Sequence, residues 1–226
     1  ERSRLFFGSE IKFFSGPKVL GSANESAVYQ CPRYAETDYD QTTFFDGLFQ
    51  IGPGEYLKVS SSGISTGSFW SEDDLVKPGS LKMPLSEGLM VAIDVRLRSD
   101  VPVGSLLSGG LDSSLIVGVI NDLKGLNGFE AYSADFREEG YSEKKYIDDN
   151  ARFLEFTPNF IYPTLDSLKE NIEGLIFVQE LAFRSLAVLS QYLIYKEVAK
   201  EGKVKALLNG QGADEIFTGY KIVIIS

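Results

Sequence analysis

Two glycines separate an apolar segment from a segment with helical signals, in the run Ser108-Gly109-Gly110-Leu111-Asp112-Ser113-Ser114. The residues before it, Val101 to Leu107, predict a buried strand, and the apolar residues between Leu115 and Ile120 predict a helix that packs back on the sheet. A helix that begins directly after such a loop presents free N–H groups and a partial positive charge. This strand, loop and helix unit therefore predicts a binding site for a phosphate-like anion.

The residue types of this loop indicate which anion it suits. Gly109 and Gly110 let the backbone approach an anion without a Cβ clash, as a pyrophosphate site requires. Hydroxyl groups that can add hydrogen bonds belong to Ser108, Ser113 and Ser114. Asp112 alone would repel a phosphate, so we interpret it as a Mg²⁺ ligand that bridges to phosphate oxygens. The loop lacks the Gly-Lys-Ser/Thr ending of a Walker loop and the spacing of a dinucleotide fingerprint, which argues against γ-phosphate transfer and hydride transfer.

Strand and helix signals alternate on both sides of this loop. Pro84 suits a helix start, and the apolar residues Leu85, Leu89, Ile93 and Leu97 follow at a helical spacing. The later segments predict strands at Phe129 to Phe136, Phe156 to Tyr162 and Val204 to Leu208, and helices at Ser142 to Phe153, Leu165 to Val178 and Leu186 to Lys200. Strands that alternate with helices of about ten residues imply an α/β fold with a parallel sheet and helices on both faces.

A second glycine-containing cluster, Asn209-Gly210-Gln211-Gly212-Ala213-Asp214-Glu215, follows the last predicted strand. Ligands of a parallel sheet bind beyond the C-terminal ends of its strands. Both clusters occupy such positions, so Asp112 and Asp214 could share one Mg²⁺. Each cluster alone also has a plainer interpretation, as a turn with a helix cap or as a helix start whose acidic residues complement the dipole. The combination favours a binding site.

The first part of the chain has the signals of short strands and turns. Leu5-Phe6-Phe7 is apolar, Ser15-Gly16-Pro17 and Ile51-Gly52-Pro53-Gly54 indicate turns, and Tyr56-Leu57 follows. We therefore predict a β-rich region there. The polar, breaker-rich stretch from Ser71 to Ser80 is the candidate linker. The predicted organisation is a first domain at 1–72, a linker at 73–84 and a second domain at 85–226.

Composition excludes several classes of function. Lys and Arg total 22 against 32 Asp and Glu, and the net charge of −10 disfavours nucleic acid as a partner. Histidine is absent, which removes an imidazole base, a Ser/His/Asp triad and His-ligated metals. A single Cys31 cannot form an internal disulfide, and we assign it no role. With no membrane-length apolar run and no initiator Met, we expect a fragment of a cytoplasmic protein without a membrane segment.

The chain resembles the glutamine-hydrolysing asparagine synthetases, a class II amidotransferase family with an N-type ATP pyrophosphatase domain. The matching stretches run from Arg96 to Gly104 and on through Ser108 to Ser114, and from Leu207 to Tyr220. Leu5 to Lys12 and Phe44 to Leu57 are similar to the closing strands of that family's N-terminal glutaminase domain. The resemblance implies a parallel-sheet domain of the adenine nucleotide α-hydrolase type, preceded by the β-rich C-terminal remnant of an Ntn-type glutaminase domain.

The resemblance also implies a reaction in two parts. ATP adenylates the side-chain carboxylate of aspartate and releases pyrophosphate, and ammonia from glutamine then displaces AMP to give asparagine. The implied cofactors are ATP and Mg²⁺, and the full-length protein is expected to be a homodimer. By position, nucleotide and pyrophosphate binding fall to Leu107, Ser108, Gly109, Gly110, Asp112, Ser113, Ser114, Ala134, Gly210 and Gln211, and Mg²⁺ binding to Asp112 and Asp214.

Departures from the family pattern leave the acceptor open. Gln211 stands where many members have Glu, Glu180-Leu181-Ala182-Phe183 stands for Asp-Glu-Pro-Phe, and Thr218 stands for a Gly. We therefore assign no catalytic residue. The family's N-terminal Cys nucleophile is not among these residues, and its phosphate-facing Lys would follow Tyr220, so we expect this fragment alone to be inactive. Two alternatives remain: an enzyme that adenylates another carboxylate, and a nucleotide-binding module without turnover.

Overall fold

The computed structural model describes residues 4–15, 19–34, 40–71, 73, 83–137, 142–183, 185–217 and 219. The chain forms two compact units. One comprises Glu1–Ser80 and Asn171–Arg184, and the other comprises Leu81–Glu170 and Ser185–Ser226. Most of the predicted linker at 73–84 lies outside the described residues. The assignment of the two units to a glutaminase remnant and a synthetase domain stays a prediction.

The first unit combines short helices with one hairpin. It contains a 3-10 helix at Ile11–Phe14, helix α1 at Glu25–Tyr34, and the antiparallel strands β1 at Glu55–Ser60 and β2 at Gly63–Ser68. The predicted β-rich character is therefore wrong for the α1 segment, and Leu5-Phe6-Phe7 has no regular secondary structure. Helix α1 forms because the Asn24 side chain accepts a hydrogen bond from the Ala27 N–H at 3.2 Å, which satisfies a first-turn donor. The free thiol of Cys31 is buried.

Glu180 connects two distant segments of this first unit. Its carboxylate accepts hydrogen bonds from the backbone N–H groups of Ile11 at 2.9 Å and Lys12 at 2.6 Å, and it pairs with the Lys12 ammonium at 3.2 Å. Burial acts to raise the pKa of the Glu180 carboxyl, but the hydrogen bonds from Lys12 and Ile11, together with the Lys12 charge, outweigh it and lower that pKa below its ordinary value. The ionised carboxylate is therefore the form that stabilises this unit.

We expect Glu180→Ala to lower the free energy of unfolding by about 1–3 kcal/mol at neutral pH, because three donors lose their acceptor. A lowered folded-state pKa contributes stability above the unfolded-state value, which is about 4.3 for Glu, and this stability disappears as the pH falls through the folded-state pKa. The difference between wild type and variant should therefore shrink below about pH 4. Urea denaturation across pH measures it, with the exposed Glu173→Ala as control. Equal losses in both variants would contradict this role.

The second unit holds the parallel sheet. Its elements are α2 at Leu85–Arg96, β3 at Val103–Leu106, α3 at Leu111–Lys124, β4 at Ala131–Ala134, α4 at Lys144–Phe153, β5 at Asn159–Ile161, α5 at Leu165–Gln179, α6 at Leu186–Glu201, β6 at Ala206–Leu208 and α7 at Ala213–Phe217. The second half of α5 belongs to the first unit. The strand order is β5-β4-β3-β6, and every neighbouring pair is parallel. The predicted α/β fold with a parallel sheet is confirmed.

Apolar clusters cover both faces of this sheet. Successive side chains of a strand point to opposite faces, and Leu207 and Leu208 of β6 accordingly pack in different clusters, as do Phe160 and Ile161 of β5. One cluster joins α2, α3 and α4 through Ile93, Leu97, Leu107, Val117, Val119, Ile120, Leu126 and Ile147. The other joins α6 to β4 through Tyr132, Ile194, Val198 and Val204. No helix in the described part of the chain is long and apolar enough to cross a membrane.

Candidate active site

The loop between β3 and α3 is folded around the hydroxyl group of Ser113. The Ser108 N–H donates to Ser113 Oγ at 3.1 Å, the two hydroxyl oxygens of these serines lie 3.0 Å apart, and Ser113 Oγ donates to the Gly110 carbonyl at 3.2 Å. Gly110 is the N-cap of α3 and has no side chain that could satisfy the N–H groups of the first turn. These groups therefore remain available to bind an anion.

Gly109 adopts a backbone conformation that is strained for any residue with a side chain. Its φ angle is +82°, in the region that favours glycine. A Cβ at this position would lie 3.1 Å from Ile147 Cγ1, 3.1 Å from Tyr146 Cβ and 3.2 Å from the Glu143 carbonyl oxygen. Helix α4 and its N-cap thus pack directly against the glycine loop. Gly110 is the N-cap residue of α3, and Gly109 lets the loop lie against α4.

The second glycine cluster contacts the first turn of α3. A Cβ at Gly210 would lie 3.1 Å from Asp112 Cβ and 3.2 Å from the Ser113 nitrogen. The turn that follows is formed by the Gln211 N–H, which donates to Asn209 Oδ1 at 2.9 Å. Because β3 and β6 are adjacent and parallel, the two loops that follow them meet at one edge of the sheet. The predicted juxtaposition of the two clusters is present.

A cavity of about 380 Å³ lies at this edge. The sequence-predicted residues that line it are Leu107, Ser108, Gly110, Asp112, Ser113, Ala134, Gly210, Gln211 and Asp214. Gly109 and Ser114 do not line it. The Ser114 hydroxyl donates to the Gly110 carbonyl at 2.7 Å and accepts a hydrogen bond from Asn150 Nδ2 at 3.0 Å. The structure therefore gives Ser114 a role in holding the loop and does not bring it to the cavity.

Sequence reasoning missed one wall of this cavity. Helix α6, interpreted only as a helix that covers the sheet, supplies Ala187, Val188, Ser190, Gln191 and Ile194. The remaining lining residues that were not predicted are Leu106, Tyr132, Phe136, Glu143 and Asn209. A signal for α6 was present, because Ser190 and Gln191 are polar residues within an otherwise apolar helical stretch. Ser190 is 8% exposed, so its position on the inner face is clear in the structure.

The charge of the cavity wall decides what can bind. It carries three carboxylates, those of Asp112, Glu143 and Asp214, and none of its described lining residues is Lys or Arg. A polyphosphate would be repelled unless a counter-ion accompanied it. Within the described residues no group of three or more acidic, His or Cys side chains could hold a metal by itself. Mg²⁺ is usually bound by one or two carboxylates together with substrate phosphates, and the Asp112 and Asp214 pair fits that ligand set.

The parallel α/β sheet thus brings a glycine loop and an acidic loop together over one cavity. The sequence model of the asparagine synthase family matches residues 85–223. The chain therefore belongs to the asparagine synthase family.

Individual relatives match most of the chain. The amidase chry2 of Gibberella zeae is 27% identical over 97% of this chain and 35% of its own length. A glutamine-hydrolysing asparagine synthetase 1 of Bacillus subtilis is 31% identical over 74% of this chain and 24% of its own length. The chain thus spans about a quarter to a third of these proteins. Among solved structures, an NH3-dependent NAD synthetase from Campylobacter jejuni matches 61% of this chain and 60% of its own, with a TM-score of 0.41 and 16% identity.

Proposed function

We propose that the protein uses ATP to form an amide, with aspartate as the acceptor. The side-chain carboxylate of aspartate attacks the α-phosphorus of ATP, and pyrophosphate leaves. Ammonia derived from glutamine then displaces AMP from the aspartyl adenylate to give asparagine. The observation that carries this proposal is the meeting of the two glycine loops over one cavity, with the open N-terminus of α3 on one side and Gly210 against Asp112 on the other. This arrangement suits a pyrophosphate group between two backbone loops.

In this proposal the protein binds and orients the nucleotide and stabilises the negative charge that develops on pyrophosphate. The first-turn N–H groups of α3 and the hydroxyls of Ser108 and Ser113 would hold the pyrophosphate as negative charge grows on it. Leu107, Ala134 and Gly210 would contact the nucleotide. Asp112 and Asp214 would hold Mg²⁺, which neutralises charge on the phosphate oxygens when bound. Adenylation by direct attack requires no nucleophile from the protein. The neutral Gln211 places an amide at the position where many relatives have a carboxylate.

A second acceptor class has support of its own. The relative from Gibberella zeae that matches 97% of this chain is called an amidase rather than an asparagine synthetase. The segment Glu180-Leu181-Ala182-Phe183 also differs from the family's usual Asp-Glu-Pro-Phe. A related enzyme that adenylates a different carboxylate by the same nucleotide chemistry is therefore the alternative.

Exchange of labelled pyrophosphate into ATP separates the two candidates. We expect the full-length protein to catalyse Mg²⁺-dependent exchange when aspartate is added, with glutamate, which is one methylene longer, as the matched control acceptor. A poor fit of one methylene or the loss of one well-placed contact costs about 1–3 kcal/mol. We therefore expect exchange with aspartate to be roughly 10-fold or more faster than exchange with glutamate. Exchange supported only by another carboxylate would favour the alternative. Release of ADP and phosphate without exchange would contradict both.

A further inference from the structure

Glu143 places an unassigned carboxyl group beside the glycine loop. It is the N-cap of α4, and its carbonyl oxygen lies 3.2 Å from where a Cβ of Gly109 would be. It lines the same cavity as Ser108, Gly110 and Ser113. The residue is exposed over part of its surface, so it lies at the rim of the cavity. Its backbone position ties it to the end of the cavity where the glycine loop would hold pyrophosphate.

The surroundings of Glu143 leave its carboxyl unneutralised. Among the described residues the carboxyl forms no hydrogen bond and no ion pair. The adjacent Lys144 ammonium is bound to both carboxylate oxygens of Asp148, at 2.7 Å each, and lies 4.4 Å from the centre of the Phe160 ring. Arg137, which follows β4, lies 3.6 Å over the Tyr162 ring. The other charged lining residues in the described part of the chain are acidic, namely Asp112 from α3 and Asp214 from α7.

Partial removal from water raises the pKa of Glu143, and no charged neighbour contributes to that rise. A bound polyphosphate would add negative charge and act in the same direction. A neutral carboxyl has an O–H donor, whereas an ionised one facing a phosphate would be repelled.

We propose that Glu143 binds the pyrophosphate part of the nucleotide directly, with its carboxyl group as a hydrogen-bond donor to a phosphate oxygen. The inference rests on the proposed ATP site. It adds a side-chain contact to a site otherwise made of backbone and serine groups. It also separates the role of Glu143 from that of Asp112 and Asp214, which would act as ionised ligands.

Binding of inorganic pyrophosphate to the full-length protein, with Mg²⁺ present, tests this directly. Calorimetry in buffers of different ionisation enthalpy between about pH 5.5 and about pH 8.5 gives both affinity and proton uptake. Glutamine donates a hydrogen bond at every pH, so the advantage of Glu143→Gln over wild type should grow as the pH rises and reach about 10-fold at the alkaline end. Glu143→Gln should also lose part of the proton uptake seen in wild type. The titration of pyrophosphate itself cancels in the difference between proteins.

Two further variants make the result decisive. Glu155→Gln, which changes an exposed carboxyl beyond the other end of α4, should behave as wild type. Glu143→Asp keeps a titrating carboxyl group on a side chain that is one methylene shorter. The carboxyl should then not reach the pyrophosphate, and pyrophosphate binding should weaken at the acid end. Weaker binding of Glu143→Gln at every pH would overturn the proposal in favour of an ionised ligand, and an unchanged pH profile would show that the carboxyl makes no contact. Failure of wild type to bind pyrophosphate would overturn the proposed ATP site as well.

Discussion

Gly109→Ala is expected to lower nucleotide affinity at least 10-fold and to destabilise the protein by about 1–2 kcal/mol, because alanine at a positive φ is strained. The strain is only part of the effect. A Cβ at Gly109 would stand 3.1 Å from both Ile147 Cγ1 and Tyr146 Cβ, so the loop would have to move away from α4. That movement would displace Ser108 and the N-terminus of α3 from the cavity. Titration with Mg²⁺ and ATP, together with urea denaturation, measures both effects.

Substitutions at two other glycines distinguish the effect of backbone strain from the effect of moving the glycine loop. Gly128 has a φ of +74° with open space around it, so Gly128→Ala should cost about 1–2 kcal/mol without loss of nucleotide affinity. Gly118 lies within α3, also with open space, and Gly118→Ala should stabilise the protein by about 0.5–1 kcal/mol. If Gly109→Ala were to bind nucleotide as well as Gly128→Ala does, the packing of the loop against α4 would have no part in the site.

Asp112→Asn and Asp214→Asn are each expected to reduce pyrophosphate formation by the full-length protein roughly 100-fold or more, because each removes a carboxylate that would hold the proposed Mg²⁺ against the phosphate oxygens. Both carboxylates line a cavity wall without Lys or Arg among its described residues. The Mg²⁺ concentration for half-maximal rate should rise in both variants. Because the two groups would share one ion, the double variant should lose little beyond either single change.

The matched control for these changes is Asp122→Asn, an exposed residue farther along α3. It alters the same net charge and should leave rate and Mg²⁺ requirement unchanged. If either site variant kept the wild-type Mg²⁺ requirement, that aspartate would not be a ligand of the ion. If the double variant lost the product of the two single effects, the two carboxylates would act independently.

The parallel sheet was predictable because its signals are local. Glycine pairs, apolar runs and helical spacing occur within each segment, so strands β3 to β6 and helices α2 to α6 were expected in the right order. The strands are shorter than predicted: β4, for example, covers Ala131–Ala134 of the expected Phe129 to Phe136. Strand ends depend on where a neighbouring strand stops pairing, which a single segment does not reveal.

Helix α1 shows the opposite case. Val28 and Tyr29 favour strands by propensity, and the surrounding turn signals reinforced the β-rich interpretation. The cap at Asn24 was the local signal for a helix, and its hydrogen bond to the Ala27 N–H is what the structure adds. A polar cap residue before a short segment is a weak signal without knowledge of what the helix packs against.

The candidate site was predictable wherever backbone geometry follows from a motif. Asp112 and Asp214 were expected at one site because both clusters follow strands of a parallel sheet, and the structure places Gly210 of the second cluster against Asp112. Ser114 was predicted from the same motif, yet its hydroxyl is bound to Asn150, a residue 36 positions away. Glu143 and the α6 wall likewise enter the cavity through tertiary packing. Such contacts between distant segments have no signature in the motif itself.

Transfer of an oxygen atom from aspartate to AMP tests directly whether the carboxylate attacks the α-phosphorus of ATP. The carboxylate oxygen that attacks the α-phosphorus must leave with AMP when ammonia displaces it. Turnover of the full-length protein with aspartate labelled with ¹⁸O in its side-chain carboxylate should therefore give AMP that carries one labelled oxygen, and pyrophosphate that carries none. Label in inorganic phosphate, with ADP as the nucleotide product, would show attack at the γ-phosphorus and would contradict the account.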